Sequence, residues 1–212
     1  KVVVENEVTR NHGWTEEAGA ANVEGKVRAA IQSLAGETSE RTAAGRTDGG
    51  VHALGQCVNF RLDGAFPIAQ LAMALNSRLP SDVAIRHAEL VDDAFNARYS
   101  ARLRRYAYRI RQSLPRGAYQ RQYAWGMQDT LDLDRMQEAG DRLVGRHDFR
   151  AFGRSPRPGG HTVREIQDLH VGQQGDWVTI AVAANAFLYG MMRRITGALV
   201  VAWNARGLSL SP

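Results

Sequence analysis

The sequence predicts an α+β fold in two similar halves that meet near residue 95. Three observations predict it. Alternating apolar segments and segments with helical period succeed one another in each half, proline and glycine punctuate them at element length, and no short-period repeat or low-complexity tract interrupts them. In the first half, Val2 to Glu5 predicts a strand. Asn22 can cap a helix whose apolar positions Val23, Val27, Ala30, Ile31 and Leu34 share one face. Gly55 to Leu62 predicts a second strand. Pro67 opens a helix carrying Ile68, Leu71, Leu75 and Leu79, Pro80 ends it, and Val83 to Val91 predicts a third strand. Residues 1–95 thus predict β-α-β-α-β.

Residues 96–212 repeat that outline. Leu103 to Arg111 alternates as a strand, and Leu133, Met136, Ala139 and Leu143 mark a helix. Ser155-Pro156-Arg157-Pro158-Gly159-Gly160 is a loop by composition. Strands are expected around Thr162 to Val171 and Trp177 to Ala183. A last helix then turns Phe187, Met191, Ile195, Leu199 and Ala202 inward. The simplest architecture joins the two sheets edge to edge.

Length and composition narrow the class. A chain of 212 residues, 44% hydrophobic and 23% charged, can bury a substantial core. The net charge is +5, and all but two of the 27 basic residues, Lys1 and Lys26, are arginine. A basic surface attracts polyanions, with RNA, DNA and anionic membrane all open on charge alone. A single cysteine, Cys57, excludes an internal disulfide and fits a reducing cytoplasm. The apolar run Val2-Val3-Val4 is too short for a signal peptide, and Ile180 to Met192 is too short to span a bilayer. No His, Cys and carboxylate cluster has metal-ligand spacing. The nearest pair, His147-Asp148, reads as a structural hydrogen bond.

The densest chemical signal is Gly45-Arg46-Thr47-Asp48-Gly49-Gly50-Val51-His52-Ala53. Three glycines in six residues imply a sharp turn or a close approach. In extended backbone Arg46 and Asp48 would point the same way, and a guanidinium within ~4–6 Å favours the charged carboxylate. Such a carboxylate can act as nucleophile or base. A tight turn with a surface ion pair is the plain alternative.

A second signal runs from Ala94 to Gln128, which holds eight arginines and no Asp or Glu. On a strand, Tyr106, Tyr108 and Ile110 line one face while Arg105 and Arg109 line the other. Guanidinium groups, Arg98 and Arg102 among them, take phosphates, and aromatic rings stack on unpaired bases. Half-buried tyrosines with a solvated arginine fringe are the plain alternative. Arg193 stands out because it interrupts an apolar helix, and a partly buried arginine needs an anionic partner.

Together these segments carry a resemblance. GRTDGGVHA resembles the GRTDAGVHA signature of TruA-type tRNA pseudouridine synthases. ARYSARLRRYAYRI, GRHDFRAF with TVREI, and NAFLYGMMRRITG resemble further family segments in the same order, and NHGW resembles the N-terminal HGWQ. The resemblance implies a pseudouridine synthase fold: two ferredoxin-like halves sharing an extended, mostly antiparallel sheet with helices on one side. It implies a cytoplasmic, cofactor-free homodimer that converts uridines 38 to 40 in the anticodon arm of tRNA. It places the catalytic aspartate on Asp48, an active-site arginine on Arg46, and the tyrosine beside the target uracil on Tyr106. Arg193 matches the arginine of the family's last motif. Arg98, Arg102, Arg105, Tyr108 and His52 are then expected to contact RNA.

The pattern departs at Glu7-Val8, Asn11, Gly49 and Tyr189-Gly190. The sequence ends at Pro212, ahead of the family's final helix and strand, so the second half is expected to be short of its end. Two other functions compete: a non-catalytic RNA-binding or RNA-folding protein, and a glycosidase-like hydrolase. The hydrolase needs a second carboxylate as acid, and no motif pairs one with Asp48.

Overall fold

The computed structural model describes residues 1–9, 13–14, 22–35, 42–62, 66–113, 118, 120–156 and 158–204. The chain divides into two compact units, Lys1–Ala101 and Arg102–Pro212. In the first unit, β1 (Val2–Asn6), α1 (Val23–Ala35), β2 (Thr42–Ala43), β3 (Ala53–Asn59), α2 (Ile68–Asn76) and β4 (Val83–Ala88) follow in order. The strands pair antiparallel in the spatial order β2-β3-β1-β4, which makes β1 central. Val2 and Val4 face the core between half-exposed neighbours, as period-2 alternation requires. On that face α1 lays Val23, Val27, Ala30 and Ile31, and α2 adds Leu71 and Leu75. None of these is more than 3% exposed. Burying a large apolar side chain of this kind is worth about 1.5–3 kcal/mol, so the helical faces add substantially to the unit's stability. Asn22 caps α1: its Oδ1 accepts the Gly25 amide at 2.7 Å. Asn76 fixes the end of α2 to β4, accepting the Ile85 amide at 2.7 Å and donating to its carbonyl at 2.9 Å.

The second unit runs β5 (Arg104–Gln112), β6 (Trp125–Met127), α3 (Leu133–Asp141), β7 (Gly145–Asp148), β8 (Val163–Gln174), β9 (Trp177–Ala184) and α4 (Met191–Asn204). Its sheet has the order β6-β5-β9-β8-β7, with β5 and β6 parallel and the other pairs antiparallel. Ile110, Ile166, Leu169, Ile180 and Val182 meet Met136 of α3 and Met191, Ile195 and Leu199 of α4 in one core. The two units therefore have the mixed α+β content expected from the sequence.

Elements differ from expectation where they are short. β2, β6 and β7 have four residues or fewer and carry no readable period. The expected His147–Asp148 hydrogen bond does not form. His147 Nε2 lies 2.9 Å from the Val144 carbonyl, while Asp148 accepts from the Arg150 amide, the Arg150 Nε at 2.7 Å and the Thr162 hydroxyl. On a strand, adjacent residues point to opposite faces, which separates the pair. The Arg150 guanidinium, then the Thr162 hydroxyl, pull the Asp148 carboxyl down from its ordinary 3.8 to about 2. A depressed acid stabilises the fold above its unfolded pKa and loses that contribution as pH falls through the folded one. Asp148→Asn should therefore lower the denaturation midpoint at neutral pH. The difference from the parent should shrink between about pH 4 and pH 2, as followed by urea melts across that range.

Candidate active site and nucleic-acid interface

Asp48 lies in the loop between β2 and β3, outside any strand and half-buried. Its backbone is held from several sides. The Ala44 amide donates to the Cys57 carbonyl at 2.8 Å, which closes the loop's entry. The Val51 amide donates to the Asp48 carbonyl at 3.2 Å, closing a turn in which Gly50 has φ +79°. His52 Nδ1 accepts the Val8 amide at 3.1 Å, tying the loop's exit to the chain after β1. His52 therefore has a structural task in addition to the RNA contact expected of it. Glu7 stands 3.4 Å from the same ring nitrogen. Burial pushes the Glu7 carboxyl up, but hydrogen bonds from the Thr9 hydroxyl and amide, with His52 nearby, carry it below its ordinary value.

The closest restraint comes from Gly13 and Trp14. The Trp14 amide donates to the Thr47 carbonyl at 3.0 Å. Gly13 has φ +95°, and a Cβ there would stand 2.5 Å from the Thr47 oxygen, 2.8 Å from the Asp48 carbonyl carbon and 2.9 Å from the Gly49 nitrogen. The two backbones touch, so only glycine fits. The Gly13 and Trp14 carbonyls in turn accept the Val23 and Glu24 amides at the start of α1. The Trp14 side chain is 2% exposed and packs in the first unit's core. A two-residue clip thus joins the Asp48 loop to both a helix end and the core. The sequence offered only a family-like NHGW as a hint of it.

Arg46 does not do what its spacing promised. It is exposed and forms no ion pair with Asp48 among the described residues. Residues 46 to 48 lie outside the strands, so no pleat turns the two side chains to one side. Arg98 and Tyr99, near the end of the first unit, are exposed, with the guanidinium 5.9 Å from the ring centroid.

In the second unit β5 separates its faces as the pattern required. Arg105 and Arg109 are exposed, while Tyr106, Tyr108 and Ile110 turn toward the core side. Arg102, just before the strand, is exposed too. Tyr108 is half-buried and packs against the core cluster. Tyr106 meets Phe187 edge-on with ring centroids 4.7 Å apart, held at the end of the sheet. Arg193 corrects its expectation: it is exposed, because α4 is amphipathic and buries Met191, Ile195 and Leu199 on another face. Its guanidinium lies 6.0 Å from the Tyr189 ring, and that of Arg154 lies 4.7 Å from the same ring. The sequence did not single out Arg154 or this pairing, which arises from a bridge between Arg154 and Tyr189. Among the described residues no group of three or more His, Cys, Asp or Glu could hold a metal ion. None of the described helices is long and apolar enough to cross a membrane.

The clip makes a graded prediction. Gly13→Ala adds a backbone clash to an unfavourable φ, whereas Gly50→Ala, with nothing within 4 Å of its Cβ, adds φ strain alone. Strain of this kind costs about 1–3 kcal/mol. Thermal unfolding should place Gly13→Ala well below Gly50→Ala, and single-turnover chemistry should slow more in the former. Equal effects would show that the loop does not depend on the contact.

Comparison with known proteins agrees with the resemblance. A family model described as tRNA pseudouridine synthase matches residues 9–100 and 139–207. The chain is 39% identical to tRNA pseudouridine synthase A of Thermoanaerobacter sp. (strain X514) over 198 residues, 93% of this chain and 81% of the relative. It is 37% identical to the protein of that name from Acetivibrio thermocellus over 200 residues, covering 94% and 82%. With that of Pseudoalteromonas translucida the identity is 39% over 197 residues, covering 93% and 75%. A match of this extent, with the GRTD segment seated in a clamped loop, settles the family: the chain belongs to the tRNA pseudouridine synthases.

Proposed function

We propose that the protein is an isomerase that converts uridine to pseudouridine in tRNA, with Asp48 as its catalytic carboxylate. The reaction breaks the N1–C1′ bond, turns the base and joins C5 to C1′. The C5 proton is lost and N1 gains one, so no redox step or energy source enters. A carboxylate near the sugar–base junction can add to C1′, add to C6 or remove a sugar proton. The observation that carries the reading is Asp48 itself, in the family's most specific motif, on a loop whose backbone is held by Gly13, Trp14, Val51 and His52. A fixed backbone reduces the reorganisation needed at the reacting atoms.

The remaining roles follow from exposure and chemistry. Tyr106, held against Phe187, packs on the target base. Arg46, unpaired with Asp48, is assigned to the RNA backbone together with exposed Arg98, Arg102, Arg105 and Arg193. Extruding the target base costs a few kcal/mol, which stacking and phosphate contacts offset. The family resemblance supports uridines 38 to 40 of the anticodon arm as the targets, a homodimer as the working form and the cytoplasm as its place.

Asp48→Asn keeps size and hydrogen-bonding shape but removes the charge. In single-turnover assays with 5-tritiated uridine in tRNA, tritium release should fall by at least about three decades, roughly 4 kcal/mol of transition-state stabilisation. Filter binding of tRNA should change little. Release at the parental rate would make Asp48 a turn residue. Arg46→Ala should instead weaken tRNA binding and flatten its salt dependence by about one phosphate contact.

A further inference from the structure

The loop that carries Asp48 starts from a weak anchor. It leaves β2, a two-residue strand at the edge of its sheet, whose pairs are Thr42 with Asn59 and Ala43 with Val58 of β3. A pairing this short gives the chain little hold of its own. The restraints at Thr47, Asp48 and His52 act further along. Between them and the strand lie Ala44, Gly45 and the exposed Arg46.

β3 closes that gap twice. Its Cys57 carbonyl accepts the Ala44 amide at 2.8 Å, which carries the β2–β3 ladder one residue past the strand. The Gln56 side chain then takes the next peptide, with Nε2 donating to the Gly45 carbonyl at 2.5 Å. A peptide unit is planar, so an anchored Gly45 oxygen also fixes the Arg46 nitrogen and the direction in which the chain sets out toward Asp48.

The position of Gln56 on its strand points to the same task. In the β1–β3 register it stands opposite Val4, and Val58 stands opposite Val2. Those three valines are core residues no more than 2% exposed, and Gln56 shares their face at 9%. An apolar side chain would serve the core better there, because a buried amide is tolerated when it is hydrogen-bonded. Among the described residues its side-chain hydrogen bond goes to the loop and not to the core.

We propose that Gln56 is a positioning residue for the isomerisation, acting on Asp48 through the Gly45 carbonyl. The inference rests on the reading of Asp48 as the catalytic carboxylate. It is separate from the Gly13 contact, which meets the loop at Thr47, Asp48 and Gly49. The role needs a hydrogen-bond donor and not only a side chain of that size. Glutamate has the shape of glutamine, but its carboxylate only accepts and would set a charge against the Gly45 oxygen. Its neutral acid donates, and burial together with that bond favours the neutral form and raises its pKa. Gln56→Glu therefore regains the bond as pH falls.

The test uses the full chain and tRNA carrying 5-tritiated uridine. Single-turnover tritium release at saturating protein, tRNA affinity and thermal midpoints are measured for the parent, Gln56→Glu and Gln56→Met. Amide hydrogen exchange of residues 46–48 is followed in the same proteins without RNA. At about pH 8 both variants should release tritium roughly 10- to 100-fold more slowly, the scale of a small misplacement of a reacting group. Their affinity for tRNA should stay within about twofold of the parent, as for a group that acts in the chemical step. On acidification to about pH 6 the ratio of Gln56→Glu to parent should climb toward one, while that of Gln56→Met stays flat. The ratio cancels any titration the proteins share. Exchange at residues 46–48 should be faster in Gln56→Met at every pH, and in Gln56→Glu only at high pH.

Gln56→Met at the parental rate would show that Gln56 only fills space. A loss in Gln56→Glu that does not recover on acidification would overturn the donor role. Rate losses that follow the unfolded fraction in the thermal data would reduce Gln56 to a residue of the fold. Should Gln56→Met fail to fold, Gln56→Glu compared with itself across pH decides the question. A parent that converts no uridine would sink the proposed function instead. Faster exchange at residues 46–48 in the variants would then still uphold the hold on the loop, and unchanged exchange would overturn it.

Discussion

The contact of one backbone with another at Gly13 is the constraint from which the rest of the first unit's site follows. The loop that carries Asp48, the proposed catalytic carboxylate, lies outside the helices and strands and cannot take a fixed position from an element of its own. Here it takes it from Trp14, whose amide holds the Thr47 carbonyl and whose ring is locked in the core. The same two residues receive the first amides of α1, which satisfies donors that every helix leaves unpaired at its start. Core packing, helix capping and loop placement are therefore one arrangement. A change that loosens any of them reaches Asp48 through a single residue of chain.

The second unit solves a different problem, which is to present arginines and aromatics without burying uncompensated charge. β5 does this by pleating. Tyr106, Tyr108 and Ile110 go to the core side, and Arg105 and Arg109 go to solvent. α4 does it by period, with Met191, Ile195 and Leu199 inward and Arg193 outward against Tyr189. Arg164 is the exception, an arginine carried inward by the alternation of its own strand. Its Nη1 is satisfied by the His161 carbonyl of the preceding loop and the Val163 carbonyl at the start of β8, while its Nε is buried with no partner among the described residues.

Much of this was legible in the residues. The faces of α1, α2 and α4 follow from apolar spacing, and the capping role of Asn22 follows from its side chain. The segregation of tyrosine from arginine on β5 follows from period 2. The Asp48 loop announced itself through its glycines. The short strands β2, β6 and β7 did not, because two to four residues cannot display a period. The relation of Arg46 to Asp48 was misjudged because spacing constrains direction only inside a strand. Arg193 interrupts an apolar run and yet is exposed, because only one face of α4 packs. Gly13 and Arg164 lay beyond sequence reasoning for a common reason. The atoms that give them meaning, the Thr47 carbonyl for one and the His161 and Val163 carbonyls for the other, belong to the folded backbone and have no residue signature. The Arg154–Tyr189 contact is similar, since those two residues lie far apart along the chain.

The central claim is that a clamped Asp48 loop makes this basic protein an isomerase of tRNA uridines and not merely a binder. It is tested most directly by incubating unmodified tRNA with the full chain, labelling pseudouridine with carbodiimide, and mapping the labelled nucleosides by mass spectrometry. Label is expected at uridines 38 to 40 with the parent protein and none with Asp48→Asn at equal occupancy of the tRNA. Tight, salt-sensitive binding with every uridine left unconverted by the parent would contradict it, and would make the protein an RNA-binding relative that keeps the fold without the chemistry.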